Sequence, residues 1–272
     1  MTKKYLPATE LDYVSTPIPE EGLFKISPSA FAKFIDKPHI WYREEVLQED
    51  LFEYNTASVL GTIVHYCAEK VAKEAEVDVD EIERYISKWP IKEDYDPAVV
   101  RSCYRAMAER LVNDYVQDRP KFLEVETQHC VEVKDGFFAA GTIDVLEGTK
   151  EDCMLSDYKS YSSKTKPRTI PQHYKYQLLV YAWILTQLGY NINRIRLVYI
   201  NRHIEGEISE KTGKQMKSYP PEVTILTETI ESSDLDFIEG LLKLCVDSCL
   251  AGHNYPELLH VIWHDPRILV KD

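Results

Sequence analysis

The chain has 272 residues, 44% of them hydrophobic, and a formal net charge of −13, so it can bury the core of one large domain but has no overall affinity for polyanions. No stretch approaches the about 18 consecutive apolar residues of a membrane span, and no apolar secretory segment follows the two N-terminal lysines. We therefore expect a cytoplasmic protein without membrane contact, in the host cytoplasm if a phage encodes it.

The first half of the sequence predicts helices. Residues 1–25 are polar and rich in proline, which is typical of an extended lead-in. Ser27-Pro28 predicts a helix start, because serine caps free N–H groups and proline suits the first turn, and Lys37-Pro38 interrupts that helix. Apolar residues at helical spacing predict longer helices over about 56–75 and 96–117. We assign this helical part to residues 26–118.

Strand patterns begin after Pro120. The segment FLEVETQHCVEV alternates like a half-buried strand, KDG forms a hairpin turn, and FFAAGTIDVLE returns as its partner. A third strand, CMLSDYKSY, is followed by a helix that Pro171 opens and Gly189 ends. We assign the catalytic sheet and its helix to residues 119–205, and a further strand, helix and tail to residues 206–272. All three parts belong to a single domain, residues 26–272. The predicted fold is α/β, a central mixed sheet flanked by helices, with a helical N-terminal half.

Charge is distributed unevenly along the sequence. Residues 158–204 contain eight Lys and Arg residues and no Asp or Glu. A basic segment on an acidic chain indicates a local surface for phosphate groups, with a solvated basic face as the alternative. Nearby Tyr161 and Tyr174 would stack on bases, which favours single-stranded or frayed nucleic acid. The candidate nucleic-acid contacts in this segment are Lys164, Lys166, Arg168 and Lys175.

Asp157 and Lys159 are two residues apart on a predicted strand, so their side chains point to one face and that of Tyr158 points to the other. A carboxylate there can hold a hard cation, and the ammonium group can orient water or neutralise charge on a phosphate. Asp144, on the preceding strand, reaches the same ion if the two strands are neighbours. Taken alone, an Asp-x-Lys triplet is more often a surface ion pair.

The wider arrangement is more specific. Gly61-x-x-x-His65 comes first, then Gly141-x-x-Asp144, then Asp157-Tyr158-Lys159, and last Gln177-x-x-x-Tyr181 on the following helix. In this order the motifs resemble the RecB-like branch of the PD-(D/E)xK nuclease superfamily, over about residues 27–188. The resemblance implies a restriction-endonuclease-like sheet and a metal-dependent DNA nuclease of the phage or recombination exonuclease type. Its partners would be DNA and replication or recombination proteins.

The resemblance also implies roles for the matching residues. His65, Asp144 and Asp157 would bind Mg²⁺ or Mn²⁺ together with the backbone carbonyl of Tyr158. Lys159 would be the catalytic lysine, acting with the two aspartates. One helical turn apart, Gln177 and Tyr181 would contact the nucleic-acid strand near the scissile phosphate.

Other interpretations stay open. His65 could be a core histidine and Tyr181 a core tyrosine, while for Glu69 and Glu126 a solvated or structural role is preferred over contact with the metal site. Relatives with an iron–sulfur cluster carry a cysteine before the proline at position 38 and three near the C-terminus. This chain lacks them, so we expect no cluster. The functional alternatives are a structure-specific or restriction-type endonuclease, a catalytically inactive nucleic-acid-binding module, and an α/β scaffold that is not a nuclease.

Overall fold

The computed structural model describes residues 5–6, 23–47, 49–51, 53–116, 122–163, 165–202, 208–209 and 211–254. Within these ranges, seven strands form one mixed sheet and helices cover both of its faces. The predicted α/β fold, a central mixed sheet flanked by helices, is confirmed. No helix in the described part of the chain is both long and apolar enough to cross a membrane.

Local sequence signals position the helices. The backbone N–H of Ala30 donates to the Ser27 side chain at 3.1 Å, so the predicted serine cap opens the first helix, and the predicted break at Lys37-Pro38 is present. Two π-helical turns, Tyr42–Val46 and Val112–Val116, extend the second and fifth helices. The α-helices are α1 (Pro28–Asp36), α2 (Pro38–Trp41), α3 (Thr56–Ala72), α4 (Val79–Ser87), α5 (Pro97–Leu111), α6 (Gln172–Gln187) and α7 (Ser232–Asn254).

The strands are β1 (Tyr5–Leu6), β2 (Leu23–Ile26), β3 (Glu124–Lys134), β4 (Phe137–Thr149), β5 (Asp152–Tyr161), β6 (Ile192–Asn201) and β7 (Glu222–Thr229). Their order is β1-β2-β4-β5-β6-β7, and β3 pairs with the other edge of β4. The pairs β2–β4 and β5–β6 are parallel, and the others are antiparallel. The predicted hairpin joins β3 and β4, and its turn places Asp135 and Gly136 at φ 53° and 77°. The expected boundary after residue 25 falls within β2.

Two apolar layers hold the helices on the sheet. One layer joins a sheet face to α1, α2, α6 and α7 through residues such as Phe31, Leu179 and Cys245. The other joins the opposite face to α3, α4 and α5, with Ile63 and Met107 at its centre. All six cysteines are buried free thiols, as their scattered positions suggested. The helical N-terminal half therefore contributes to both faces: α3, α4 and α5 cover one, and α1 and α2 join α6 and α7 on the other.

Candidate active site

The site lies where β4 and β5 separate. Their antiparallel pairing reaches Val145 opposite Ser156, and Asp144 and Asp157 are the next residues along the two strands. Farther along the same edge, β4 pairs with β2 over residues 137–139. Residues 140–144 thus have no described strand on that edge, and the two aspartates stand beside a gap in the sheet. The condition stated for a shared ion is met, because Asp144 and Asp157 do lie on neighbouring strands.

Helix α3 brings His65 to the fork, with its Nδ1 3.5 Å from Oδ2 of Asp144. Gly61, one turn earlier, faces β5, and a Cβ atom there would lie at ordinary contact distance, 3.4 Å, from Oγ of Ser160. The backbone N–H of Tyr158 donates to the same Asp144 oxygen at 2.6 Å. Burial opposes charge on both side chains, but their mutual attraction outweighs it, raising the pKa of His65 and lowering the pKa of Asp144.

Buried Asp157 and half-buried Lys159 form an ion pair at the fork. The Lys159 Nζ lies 2.6 Å and 2.8 Å from the two Asp157 oxygens, and 5.6 Å from the ring centroid of Tyr174. Burial is the main reason that the pKa of Asp157 rises to about 6, and the negative charge of Asp144 adds to the rise. Burial opposes the ammonium form of Lys159, but the two aspartates outweigh it and raise the lysine pKa. The lysine is therefore held as a cation between two carboxylates.

Glu126 is a functional candidate that the sequence interpretation undervalued. Its carboxylate and donor atoms of His65 and Asp144 all lie within 4.8 Å of one another. Burial, followed by the charge of Asp144, raises the pKa of Glu126 to about 7. Its backbone has φ 49°, a left-handed conformation that is uncommon for residues other than glycine and often occurs at functional sites. Regular counting back from the Asp135 turn would place Glu126 opposite Val145, and only the irregularity between Glu132 and Lys134 shifts it to the position opposite Asp144, so the sequence carried no signal for this contact.

Tyr181 on α6 lies behind the fork. It is 8% exposed, and a Cβ atom at Gly141 would lie 2.9 Å from its ring. Burial, and then the charges of Asp157 and Asp144, raise the pKa of Tyr181, while a hydrogen bond from Gln177 acts in the opposite direction. Tyr181 therefore lies near the carboxylates of Asp157 and Asp144. Contact of Gln177 and Tyr181 with a nucleic-acid strand stays a prediction.

The aromatic ring of Tyr158 is buried on the face opposite Lys159, as predicted from strand alternation. It makes edge contacts with the rings of His65 and Tyr115, each at 5.7 Å between centroids. Its backbone N–H serves Asp144, whereas metal binding by its carbonyl oxygen stays a prediction.

The predicted basic contacts are not gathered at the fork. Lys166 pairs with Glu222, Lys175 pairs with Glu228 at 2.8 Å, and Arg168 is exposed. Lys164 lies outside the described residues. Two of the predicted cations are thus already paired with carboxylates of β7.

A divalent cation fits the donor set at the fork. Two carboxylates and one imidazole, from Asp144, Glu126 and His65, are suitable ligands for Mg²⁺ or Mn²⁺. Oδ2 of Asp157 is buried and accepts no hydrogen bond from a described residue, although the Lys159 ammonium lies close by outside hydrogen-bonding geometry. This carboxylate oxygen, 2.6 Å from the Lys159 ammonium, is a hard donor and is therefore also a suitable ligand for a divalent cation.

The fold is similar to that of a protein of known structure from Eubacterium rectale, which has a provisional exonuclease assignment. The TM-score is 0.52 at 14% identity, and the match covers 85% of this chain and 81% of that one. The alkaline exonuclease LHK-Exo from Laribacter hongkongensis has a TM-score of 0.31 and 12% identity, with 71% and 92% covered. The complex of LHK-Exo with dAMP has a TM-score of 0.33 and 11% identity, and the match covers 75% of this chain and 97% of that one. No curated protein matches the sequence significantly.

Carboxylates and a lysine at the fork of a mixed sheet define the class of protein as a nuclease, a hydrolase of phosphodiester bonds. The family model of the PD-(D/E)XK nuclease superfamily matches residues 25–248, and the chain belongs to that superfamily. Nucleases of this superfamily use divalent metal ions. The match covers the last two residues of β2, strands β3 to β7, the fork, and the helices as far as Ser248 in α7.

Proposed function

We propose that this protein is a metal-dependent deoxyribonuclease, acting as an exonuclease on single-stranded or frayed DNA ends during recombination, repair or replication. The observation that carries the proposal is the meeting of Asp144, Asp157, Lys159, His65 and Glu126 at one strand fork. Exonuclease action is what the RecB-like motif order implies.

The half-buried cation Lys159 supplies a donor for the phosphate. Its ammonium is held by Asp157 at 2.6 Å, so its position is set before substrate arrives. From there it can orient the attacking water and neutralise the charge that develops on the phosphate oxygens. When bound by His65, Glu126, Asp144 and Asp157, Mg²⁺ or Mn²⁺ would act as a Lewis acid on the same phosphate. The single imidazole favours Mn²⁺ slightly over Mg²⁺.

The test uses two variants, Asp157→Asn and Lys159→Met, which keep approximate side-chain size. Each should lower cleavage of end-labelled DNA by at least about a hundredfold in Mg²⁺ or Mn²⁺, since each removes a group that acts on the phosphate. Lys243→Ala removes an exposed lysine on α7 and serves as the control, with circular dichroism to verify folding. A variant at Asp157 or Lys159 that cuts DNA at the wild-type rate would contradict the proposal.

The form of the DNA distinguishes the two modes of action. End-labelled single- and double-stranded oligonucleotides report polarity and strand preference, and circular single-stranded DNA has no end. An exonuclease degrades the linear strands and spares the circle, whereas cleavage of the circle would instead identify an endonuclease.

A further inference from the structure

A second cleft, of about 570 Å³, opens between α5, the segment that follows β5, and the segment that leads into β7. Its volume falls within the range of small-ligand sites. Three cations (Arg110, Lys166 and Lys217) and the ring of Tyr219 line it, together with a single carboxylate, Glu222. On a chain with a net charge of −13, this is a local excess of positive charge.

The floor of the cleft is tied to the strand that carries the catalytic lysine. Asn201, buried at the end of β6, donates to the carbonyl of Ser163 at 3.0 Å and accepts from its N–H at 3.4 Å. Ser163 follows Lys159 by four residues, the last two of them beyond the end of β5, so at most about 14 Å of chain separates them. The cleft therefore lies within reach of a strand that occupies the fork.

The cations of the cleft are available to an anion. Lys166 is 60% exposed and pairs with Glu222, and Arg110 is 52% exposed and pairs with Asp114 at 2.6 Å. Exposed pairs of this kind contribute only about 0–1 kcal/mol, so a phosphate can compete with the carboxylates. Lys217 makes no ion pair with a described residue and lies 5.5 Å from the ring centroid of Tyr219.

We propose that this cleft binds a single-stranded stretch of the nucleic-acid substrate away from the scissile bond. A base stacks on Tyr219, and backbone phosphates contact Lys217, Lys166 and Arg110. The combination is suitable because an aromatic ring accepts the face of any base while a row of cations follows the backbone. The proposal rests on the proposed nuclease function and adds a second anchoring point to it.

Strand length provides the test. In an Asp157→Asn background, the affinities of single strands of about 3 and about 12 nucleotides are measured by fluorescence anisotropy. The double variant Lys217→Ala/Tyr219→Ala should weaken binding of the longer strand by at least about fivefold, the size of one base–aromatic stack. Binding of the shorter strand should not change, because a strand held at the fork does not extend to the cleft. Lys243→Ala is the matched control for the removal of one exposed lysine.

Wild-type affinity of the double variant for the longer strand, or an equal reduction for both strands, would overturn the proposal. Neither result affects the nuclease assignment, which depends on cleavage by the protein with native Lys217 and Tyr219. Failure of that protein to cleave DNA in any divalent metal would contradict the proposed function instead.

Discussion

Asp144 and Asp157 occupy corresponding positions on neighbouring strands, yet their surroundings move their pKa values in opposite directions. The imidazole of His65 and the N–H of Tyr158 stabilise charge on Asp144, and its pKa falls. For Asp157 the largest effect is burial, which disfavours the charged carboxylate, and its pKa rises to about 6. Two carboxyl groups whose pKa values are shifted in opposite directions are typical of active sites in which the two groups have different roles.

Glu126→Gln tests the third carboxylate at the residue scale. The change keeps the size of the side chain but removes the charge that lies near His65 and Asp144. We expect the affinity for Mn²⁺, measured by isothermal titration calorimetry, to fall about tenfold or more. Glu69→Gln, on α3 and paired with Lys73, is the matched control and should change the affinity little. Equal effects of the two variants would exclude Glu126 as a ligand.

At the scale of elements, α6 can pack closely on β4 because residue 141 is a glycine and has no side chain. A Cβ atom at Gly141 would lie 2.8 Å from Cδ of Pro28 and 2.9 Å from the ring of Tyr181. Gly141 therefore allows the start of α1 and the middle of α6 to pack on β4 at the edge of the gap. The glycine of the Gly141-x-x-Asp144 motif has a packing role as well as a place in the motif.

Gly141→Ala should destabilise the protein by about 1–3 kcal/mol, because Pro28 and Tyr181 must shift to accommodate the methyl group. Gly240→Ala is the control: nothing lies within 4 Å of a Cβ atom at that exposed position of α7. There alanine should stabilise the helix by up to about 1 kcal/mol. Urea unfolding of both variants measures the difference, and an equal sign for the two changes would contradict the packing argument.

A buried ion pair joins β4 to β6. Arg196 lies 2.9 Å from Glu147, and the two side chains are 11% and 7% exposed. Arg194, on the same strand, makes an exposed pair with Asp152. Arg196→Met leaves a buried carboxylate without its cation and should cost about 3 kcal/mol or more of unfolding free energy. Arg194→Met should cost less than about 1 kcal/mol, and similar costs in thermal or urea unfolding would contradict this difference.

At the scale of the whole molecule, the basic segment is less exposed to solvent anions than its sequence suggests. Carboxylates outside the segment pair with several of its cations, as Glu222 does with Lys166, Glu228 with Lys175, and Glu147 with Arg196. The exposed Lys166–Glu222 pair is weak and can be exchanged for phosphate contacts, whereas the buried Glu147–Arg196 pair cannot.

The triple variant Lys164→Ala/Lys166→Ala/Arg168→Ala tests whether the segment binds the DNA backbone. We expect weaker binding of single-stranded DNA and a shallower slope of log affinity against log salt, by about 0.7 for each phosphate that the variant no longer neutralises. Binding is measured at several salt concentrations in the Asp157→Asn background, which holds the strand without cutting it. An unchanged slope would show that these three residues do not contact the phosphates of bound DNA.

Sequence patterns predicted the fold class and most of its elements. The Ser27 cap, the break at Lys37-Pro38 and the turn at Asp135-Gly136 are local signals, and each is present. The role of Glu126 was undervalued because a lone Glu on a strand gives no indication of its distance from His65. The register of β3 against β4, with its irregularity near the turn, brings Glu126 beside Asp144, and α3 adds His65.

The sequence by itself determined that Asp157 and Lys159 share a face of one strand, because side chains alternate along an extended backbone. It also determined the order of the motifs and therefore the nuclease resemblance. Only the tertiary structure decided that β4 and β5 separate at the two aspartates and that α3 delivers His65 to that fork. It also decided that distant glutamates pair with the basic segment. The physical reason is that spacing along a strand follows from backbone geometry, whereas distances between elements depend on register and on how helices pack across the whole sheet.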